Sequence, residues 1–319
     1  MHNYLYFCAR IMNKKQSWLL ASRPKTLSGA AVPVAIGLSL AWADAGRLLI
    51  VPAVLCLLFA FVMQIDANLV NDYFDYLKGT DDENRLGPKR ACAQGWITPK
   101  AMRRGIAVTT FVACLAGLPL VHYGGWWLVA VGVACVVFCF LYTTHLSYYG
   151  FGDVLVLLFF GLVPVCLTYY VQTGTVTTTV ILQSLACGMV VDTLLVVNNY
   201  RDYEGDRRSG KRTLVVLIGR SAAEWLYLAL GLVATLITVF TLHSPLFTFH
   251  FSLFTPLIYL ILHVSTWWRM KHVSHDVCTH REEYVRAFNR ILGETARNIA
   301  LYGLLVAASQ LLSCLAFSV

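Results

Sequence analysis

The sequence predicts an all-α integral membrane protein, a bundle of nine transmembrane helices, and three observations carry that prediction. Of its 319 residues, 58% are hydrophobic and only 13% charged, with a mean hydropathy of +0.63, whereas about a quarter of the residues of a soluble domain are charged. Apolar runs of about 20 residues, long enough to cross roughly 30 Å of hydrocarbon as helices, occur nine times. The third observation is charge. With an inward-facing N-terminus, 24 of the 25 Lys and Arg fall in segments 1–25, 71–104, 199–221 and 268–297, all on one side, and only Arg47 falls on the other. This positive-inside bias predicts an N-in, C-out chain, multi-pass in a cell inner or cytoplasmic membrane. The net charge of +8 then calls for no nucleic-acid partner.

The runs lie near 27–45, 48–70, 105–122, 126–144, 153–172, 178–198, 222–242, 247–267 and 298–317. Each is continuous rather than alternating, which selects helices over barrel strands as the way to satisfy the backbone in lipid. Residues 1–25 are polar and mixed, no cleavable signal is read there, and the first run is expected to direct insertion itself. Outer loops are short, while three inner loops are long and charged, so the chemistry of a single domain over 1–319 is expected on its inner face. Cys56, Cys114, Cys135, Cys139, Cys166, Cys187 and Cys314 lie inside runs. Cys135 and Cys139 are one helical turn apart, but two thiols without further ligands make a poor metal site, and they read as small packing residues.

The second run ends in NDYFDYLKGTDDENRLGPKRACAQG, from Asn71, and the sixth in NNYRDYEGDRRSGKRTLVVLIG, from Asn198. Four runs lie between them, an even number of crossings, so both segments return to one side. A weak internal duplication, matching Asn71 and Asp72 with Asn198 through Asp202, would bring them face to face. Asp72 and Asp75 are three apart and Asp202 and Asp206 four apart, so on a continuing helix each pair shares a face with Cβ atoms about 5–6 Å apart. Each pair can share one hard cation. Mg²⁺ suits such a pair, because it is usually held by one or two carboxylates with waters and substrate phosphate oxygens.

Cations interleave with these acids: Arg23 and Lys25 in SRPKTL, Lys78, Arg85, Lys89 and Arg90 after the first cluster, and Arg201, Arg207, Lys211 and Arg212 around the second. Metal-binding acids among Arg forks and Lys point charges suit a diphosphate. Asp66 and Asp192 sit within run ends, where ionisable groups are costly and normally face a cavity or partner, or act as structural hydrogen-bonding residues. A single charged inner loop would read as a solvated surface with weak salt bridges; two loops of matching chemistry argue for a shared ligand. A transporter would carry its acids near the midplane in broken helices, whereas these cluster at the membrane edge.

Four blocks carry a resemblance: SRPKTLSGAAVPVAIG at 22–37, preceded by Trp18; NDYFDYLKGTDDENRLGPKR at 71–90; LFFGLVPVCLTYYVQTG at 158–174; and NNYRDYEGDRRSGKRTLVVLIG at 198–219. FNRILGETA at 288–296 is a weaker fifth. The sequence resembles the UbiA-type intramembrane prenyltransferase superfamily and, within it, the 1,4-dihydroxy-2-naphthoate polyprenyltransferases of menaquinone synthesis. The resemblance implies a nine-helix bundle with a central cavity open to the cytoplasm and laterally to lipid. It also implies Asp-rich loops, about 71–104 and 199–221, that bind Mg²⁺ and the diphosphate of a polyprenyl donor. Its first motif falls on Asn71, Asp72 and Asp75, with the third acid displaced to Asp81, and its second on Asn199, Asp202 and Asp206. The expected metal ligands are thus Asp72, Asp75, Asp81, Asp202 and Asp206. The expected substrate contacts are Arg23, Lys25, Asn68, Asn71, Lys78, Arg90, Asn199, Arg201, Lys211 and Tyr169. The chain departs from the branch at THLSYYGFGD, where a Gly/Pro-containing stretch and a Glu are usual; here the acid is the shorter Asp153.

The reaction this implies joins a polyprenyl group to an aromatic acceptor whose carboxylate is lost, giving demethylmenaquinone, with 4-hydroxybenzoate as the alternative acceptor. Its chemistry can be argued independently. An allylic C–O bond breaks readily once the leaving charge is compensated electrostatically, and the cation left behind must be kept from water. Tyr148, Tyr149, Tyr169 and Tyr170 read either as aromatic faces toward that cation or as an interfacial belt. Arg23, Lys25 or Arg201 would meet the acceptor carboxylate, and Asp153 is a candidate base on a ring hydroxyl.

Overall fold

The computed structural model describes residues 13–79, 86–241, 249–276 and 281–317. Among these, all regular structure is helical: α1 (Lys14–Ser22), α2 (Leu27–Ala45), α3 (Ile50–Leu77), α4 (Pro99–Gly117), α5 (Val121–Gly124), α6 (Trp127–Thr144) and α7 (Gly152–Leu157). There follow α8 (Val163–Thr173), α9 (Thr178–Arg208), α10 (Leu214–Ile218), α11 (Arg220–Thr241), α12 (Phe249–Asp276) and α13 (Arg281–Phe317). Seven segments among the described residues are long and apolar enough to cross a membrane, and they match the first seven expected runs. The last two expected runs fall largely on α12 and α13.

Local chemistry sets the boundaries. Thr98 caps α4 by accepting the Ala101 N–H, with Pro99 at the first helical position, and Thr177 caps α9 in the same way through Val180. An N-cap hydroxyl satisfies a backbone donor that the helix cannot, and proline costs nothing at the first position. Gly174 ends α8 in the left-handed conformation, φ 77°, where a side chain would be strained.

Two lengths matter most for the site. The helix α3 has 28 residues and α9 has 31, so they extend about 42 and 46 Å at 1.5 Å per residue, well beyond the roughly 30 Å of hydrocarbon. Their final turns carry Asp72, Asp75, Asp202 and Asp206. These four acids, which the resemblance puts in loops and their spacing puts on continuing helices, project from helix.

The core gathers on α9, which packs against α7, α11 and α13. A π turn at Leu158–Leu162 joins α7 to α8, with Pro164 just beyond it withholding a backbone donor. That turn crosses α9 at backbone distance, because a Cβ on Gly161 would lie 2.5 Å from Ser184 O and 2.8 Å from Gly188 Cα. Small residues allow such crossings where lipid supplies no hydrophobic drive. Between α3 and α4 the buried Asp66 accepts hydroxyl hydrogen bonds from Thr109 and Thr110, so its role is to join two helices.

Candidate active site

The first acidic end is the last two turns of α3. Asn71 and Asp75, one turn apart, both accept from Arg90 Nη2, at 3.0 and 3.2 Å, and so share a face. Asp72 turns elsewhere: its two oxygens accept the backbone N–H groups of Ala91 and Cys92 at 2.8 and 3.0 Å. The loop after α3 thus folds back and is clamped by the helix before it. Hydrogen bonds to a charged acceptor contribute about 1.5–3 kcal/mol each, which makes Asp72 an anchor. One turn earlier, Asn68 Nδ2 donates to Ser22 O and Thr26 Oγ1, both at 3.0 Å. Gln64 Nε2 donates to the same Thr26 hydroxyl at 3.3 Å. These bonds pin the elbow between α1 and α2, carrying Arg23 and the exposed Lys25, beside the acidic end. The side chain of Asn68 is committed to that elbow.

The second acidic end, on α9, repeats the pattern with different parts. Arg201 Nε and Nη2 fork onto Asp202 Oδ1 and Oδ2 at 2.8 and 2.7 Å, and Nη2 also reaches Asn198 Oδ1 at 2.8 Å. Its Nη1 donates to Asn289 Oδ1 at 3.3 Å, and the side chain is 1% exposed. Tyr200 stacks on Phe288 with centroids 5.3 Å apart, so the FNRILGETA block packs directly behind this end. A turn further on, Asp206 Oδ1 faces Lys211 Nζ at 3.8 Å.

Residues 144–153, the segment where the sequence departs from its resemblance, bring the two ends together. Lys78 Nζ donates to the carbonyls of Thr143 and Thr144 at 3.2 and 2.5 Å and lies 3.8 Å from the Tyr148 ring centre. Lys211 Nζ is 5.9 Å from the same ring, and Arg212 N donates to Tyr148 O at 3.1 Å. One tyrosine therefore meets a lysine from each acidic end, within cation–π reach. Gly150, at φ 82°, permits the approach, since a Cβ there would meet Arg212 O at 3.2 Å. Partial desolvation holds the Lys78 ammonium below the ordinary lysine range, against the attraction of Asp75 and with the repulsion of Lys211.

Between α6, α7 and α9 lies a cavity of about 10 Å³ lined by Tyr142, Ser147, Asp153, Asn199, Lys211 and Thr213, room for about one water. Both oxygens of Asp153 and Oδ1 of Asp192 are buried without a hydrogen-bond partner among the described residues, and the two acids are close enough to feel each other's charge. Tyr142 lies in the field of Asp153, Asp192, Asp75 and Asp206 together. Sequence reasoning passed over Tyr142, because a tyrosine in a continuous apolar run gives no periodic signal.

Some expected residues are not brought in. Tyr169 sits at the far end of the bundle, its hydroxyl donating to Asp44 Oδ2 at 2.6 Å, because α8 and α2 both run away from the acidic end. Tyr170 packs edge-on against Trp127, centroids 5.2 Å apart, as a belt residue would. Asp81 and Arg85 lie outside the described residues.

The donor set on both ends consists of amide and carboxylate oxygens, the chemistry of a hard cation. Among the described residues no three His, Cys, Asp or Glu side chains converge to hold a metal ion alone. Separate pairs suit Mg²⁺, which is ordinarily completed by waters and substrate phosphates, so the residues fit an ion that arrives with its anion. Asp75, Asp202 and Asp206 are its candidate holders, with Asn71 and Asn198 beside them.

A family model described as the UbiA prenyltransferase family matches residues 30–282. An Escherichia coli protein named 1,4-dihydroxy-2-naphthoate octaprenyltransferase is 36% identical over 260 residues, covering 77% of this chain and 84% of that protein. A human protein named UbiA prenyltransferase domain-containing protein 1 is 28% identical over 307 residues, 91% of this chain and 82% of that protein. Among solved structures, a UbiA homolog from Archaeoglobus fulgidus bound to DMAPP and Mg²⁺ has a TM-score of 0.59 at 15% identity, covering 92% of this chain and 99% of that one.

Proposed function

The chain belongs to the UbiA prenyltransferase family, and from that premise we propose that it transfers a polyprenyl group from a polyprenyl diphosphate to 1,4-dihydroxy-2-naphthoate, with loss of carbon dioxide and release of diphosphate, to give demethylmenaquinol, the reduced form of demethylmenaquinone. Support for the acceptor comes from five relatives named as octaprenyltransferases of that compound, at 30–36% identity. Support for a diphosphate donor comes from the shared Tyr148, where Lys78 and Lys211 converge from the two acidic ends.

In this reading Asp75, Asp202 and Asp206, with Asn71 and Asn198, face the ions, and Lys78, Lys211, Arg23 and Lys25 face the diphosphate oxygens. Asp72 and Asn68 act one step back, holding the 86–98 loop and the α1–α2 elbow. Bound with the donor, Mg²⁺ would neutralise the leaving diphosphate as the allylic C–O bond breaks and its electron pair departs. The faces of Tyr148 and Tyr142 border the resulting cation. Asp153, backed by Asp192, accepts a hydrogen bond from a ring hydroxyl, drawing electron density to the ring carbon that forms the new C–C bond. Departure of the acceptor carboxylate as carbon dioxide then restores the aromatic ring. Oriented charge in a water-poor site accounts for most of such an acceleration.

Purified chain in lipid nanodiscs, given Mg²⁺, dihydroxynaphthoate and octaprenyl diphosphate, should yield demethylmenaquinol, read by mass spectrometry as such or as demethylmenaquinone after oxidation in air. Silence with that pair and turnover of 4-hydroxybenzoate would reassign the acceptor.

A further inference from the structure

We infer that the outer groove between α1, α3 and α4 is a binding site for an anionic phospholipid, seated with its phosphate at Arg104. The groove holds about 580 Å³ and is walled by Trp18, Ile65, Leu69 and Val108, with Ser22, Thr109 and Arg104 its polar members, Arg104 alone of them charged. That volume lies within the roughly 300–1,000 Å³ of ordinary ligand sites.

Three features select the occupant. Arg104 is exposed, as are Lys100 and Arg103 beside it at the start of α4, and none of the three is ion-paired among the described residues. All three fall on the side to which the positive-inside bias assigns the acidic end, where basic clusters attract anionic headgroups. Below them Val108, Phe111 and Leu115 are 61, 62 and 54% exposed; at spacings of three and four they form one strip down α4, a track for an acyl chain. A cationic mouth over an apolar wall is the complement of a phospholipid with net negative charge. The donor's diphosphate does not need this arginine, since cations at the acidic helix ends already serve it.

The seat adjoins the candidate active site. Trp18 lies over Gly105, where a Cβ would be 2.6 Å from the indole, and Asn68 grips Ser22 O on the same wall. A lipid pressed there steadies α1 and the elbow bearing Arg23.

The test uses the full chain in phosphatidylcholine nanodiscs with or without phosphatidylglycerol, with bound lipid read by native mass spectrometry. Wild type should retain phosphatidylglycerol over phosphatidylcholine. Arg104→Gln should weaken that retention about five-fold, since each basic residue near an anionic surface contributes about 1 kcal/mol, and Arg104→Lys should keep most of it. Val108→Trp, which fills the groove without touching charge, should displace phosphatidylglycerol as well. Equal retention of the two lipids by wild type, or undiminished phosphatidylglycerol on Arg104→Gln, would overturn the site. None of these outcomes depends on which aromatic acceptor is prenylated.

Discussion

At the end of α3 the arginine that spans an Asn and an Asp one turn apart arrives from a loop 15 residues on; at the end of α9 it sits on the helix itself, 1% exposed, with a partner on α13. Carboxylate geometry is alike at both ends, but its support is not. The second end is built into the core through Tyr200, Phe288 and Asn289. The first end is held shut by Asp72 and by Arg90, so its shape depends on how the 86–98 loop lies. One half of the site is prefabricated, and the other is fastened.

If both ends serve one leaving group, breaking either should be equally severe. Asp75→Asn and Asp202→Asn should each lower kcat by about 10²–10³, the range for removing one preorganised electrostatic group, and the double variant should be little worse than either single one. Full additivity in steady-state kinetics would mean that the two ends work separately. The next effect separates the ends. Arg201→Leu and Arg90→Leu each take the partner from a largely enclosed carboxylate, and both should lower the melting temperature in detergent, but Arg90→Leu, which also loosens the 86–98 loop, should in addition raise the donor KM.

A smaller contrast concerns Asp72. Asp72→Ala removes two backbone hydrogen bonds, about 1.5–3 kcal/mol each, and should open residues 86–98 to limited proteolysis, with donor KM rising before kcat falls. An equal and complete loss of kcat would return Asp72 to the metal-ligand role that its spacing suggests. Tyr148→Leu, which removes the platform common to both lysines, should reduce kcat/KM by about five-fold, from cation–π terms near 1 kcal/mol. Smallest of all, Tyr169→Phe should leave kcat within two-fold and cost about 1 kcal/mol of stability, since its hydroxyl donates to Asp44 away from the acidic ends.

Much of this was legible in one dimension. Apolar runs mark their own length in lipid, so the helices could be read directly, and paired acids ahead of cationic stretches marked the two helix ends that meet at Tyr148. What could not be read was direction around a helix axis. Asp72 and Asp75 are three apart and were grouped as one pair, yet Asn71 and Asp75, four apart, share the face that meets Arg90 while Asp72 turns to a loop whose fold-back no periodicity encodes. Tyr169 shows the same limit along the axis, because a tyrosine near a run end does not declare which end it serves. Asp192 was visible as an acid in an apolar run, but its neighbour Asp153 comes from another helix.

The elbow at Arg23 has a consequence for engineering. It is the one described non-glycine residue with positive φ, 49°, a conformation that burdens an L-residue by about 1–2 kcal/mol. Glycine would rest there unstrained, so Arg23→Gly should yield a tougher protein that grips its anionic substrates less well. At this corner, sturdiness and affinity pull against each other through a single torsion.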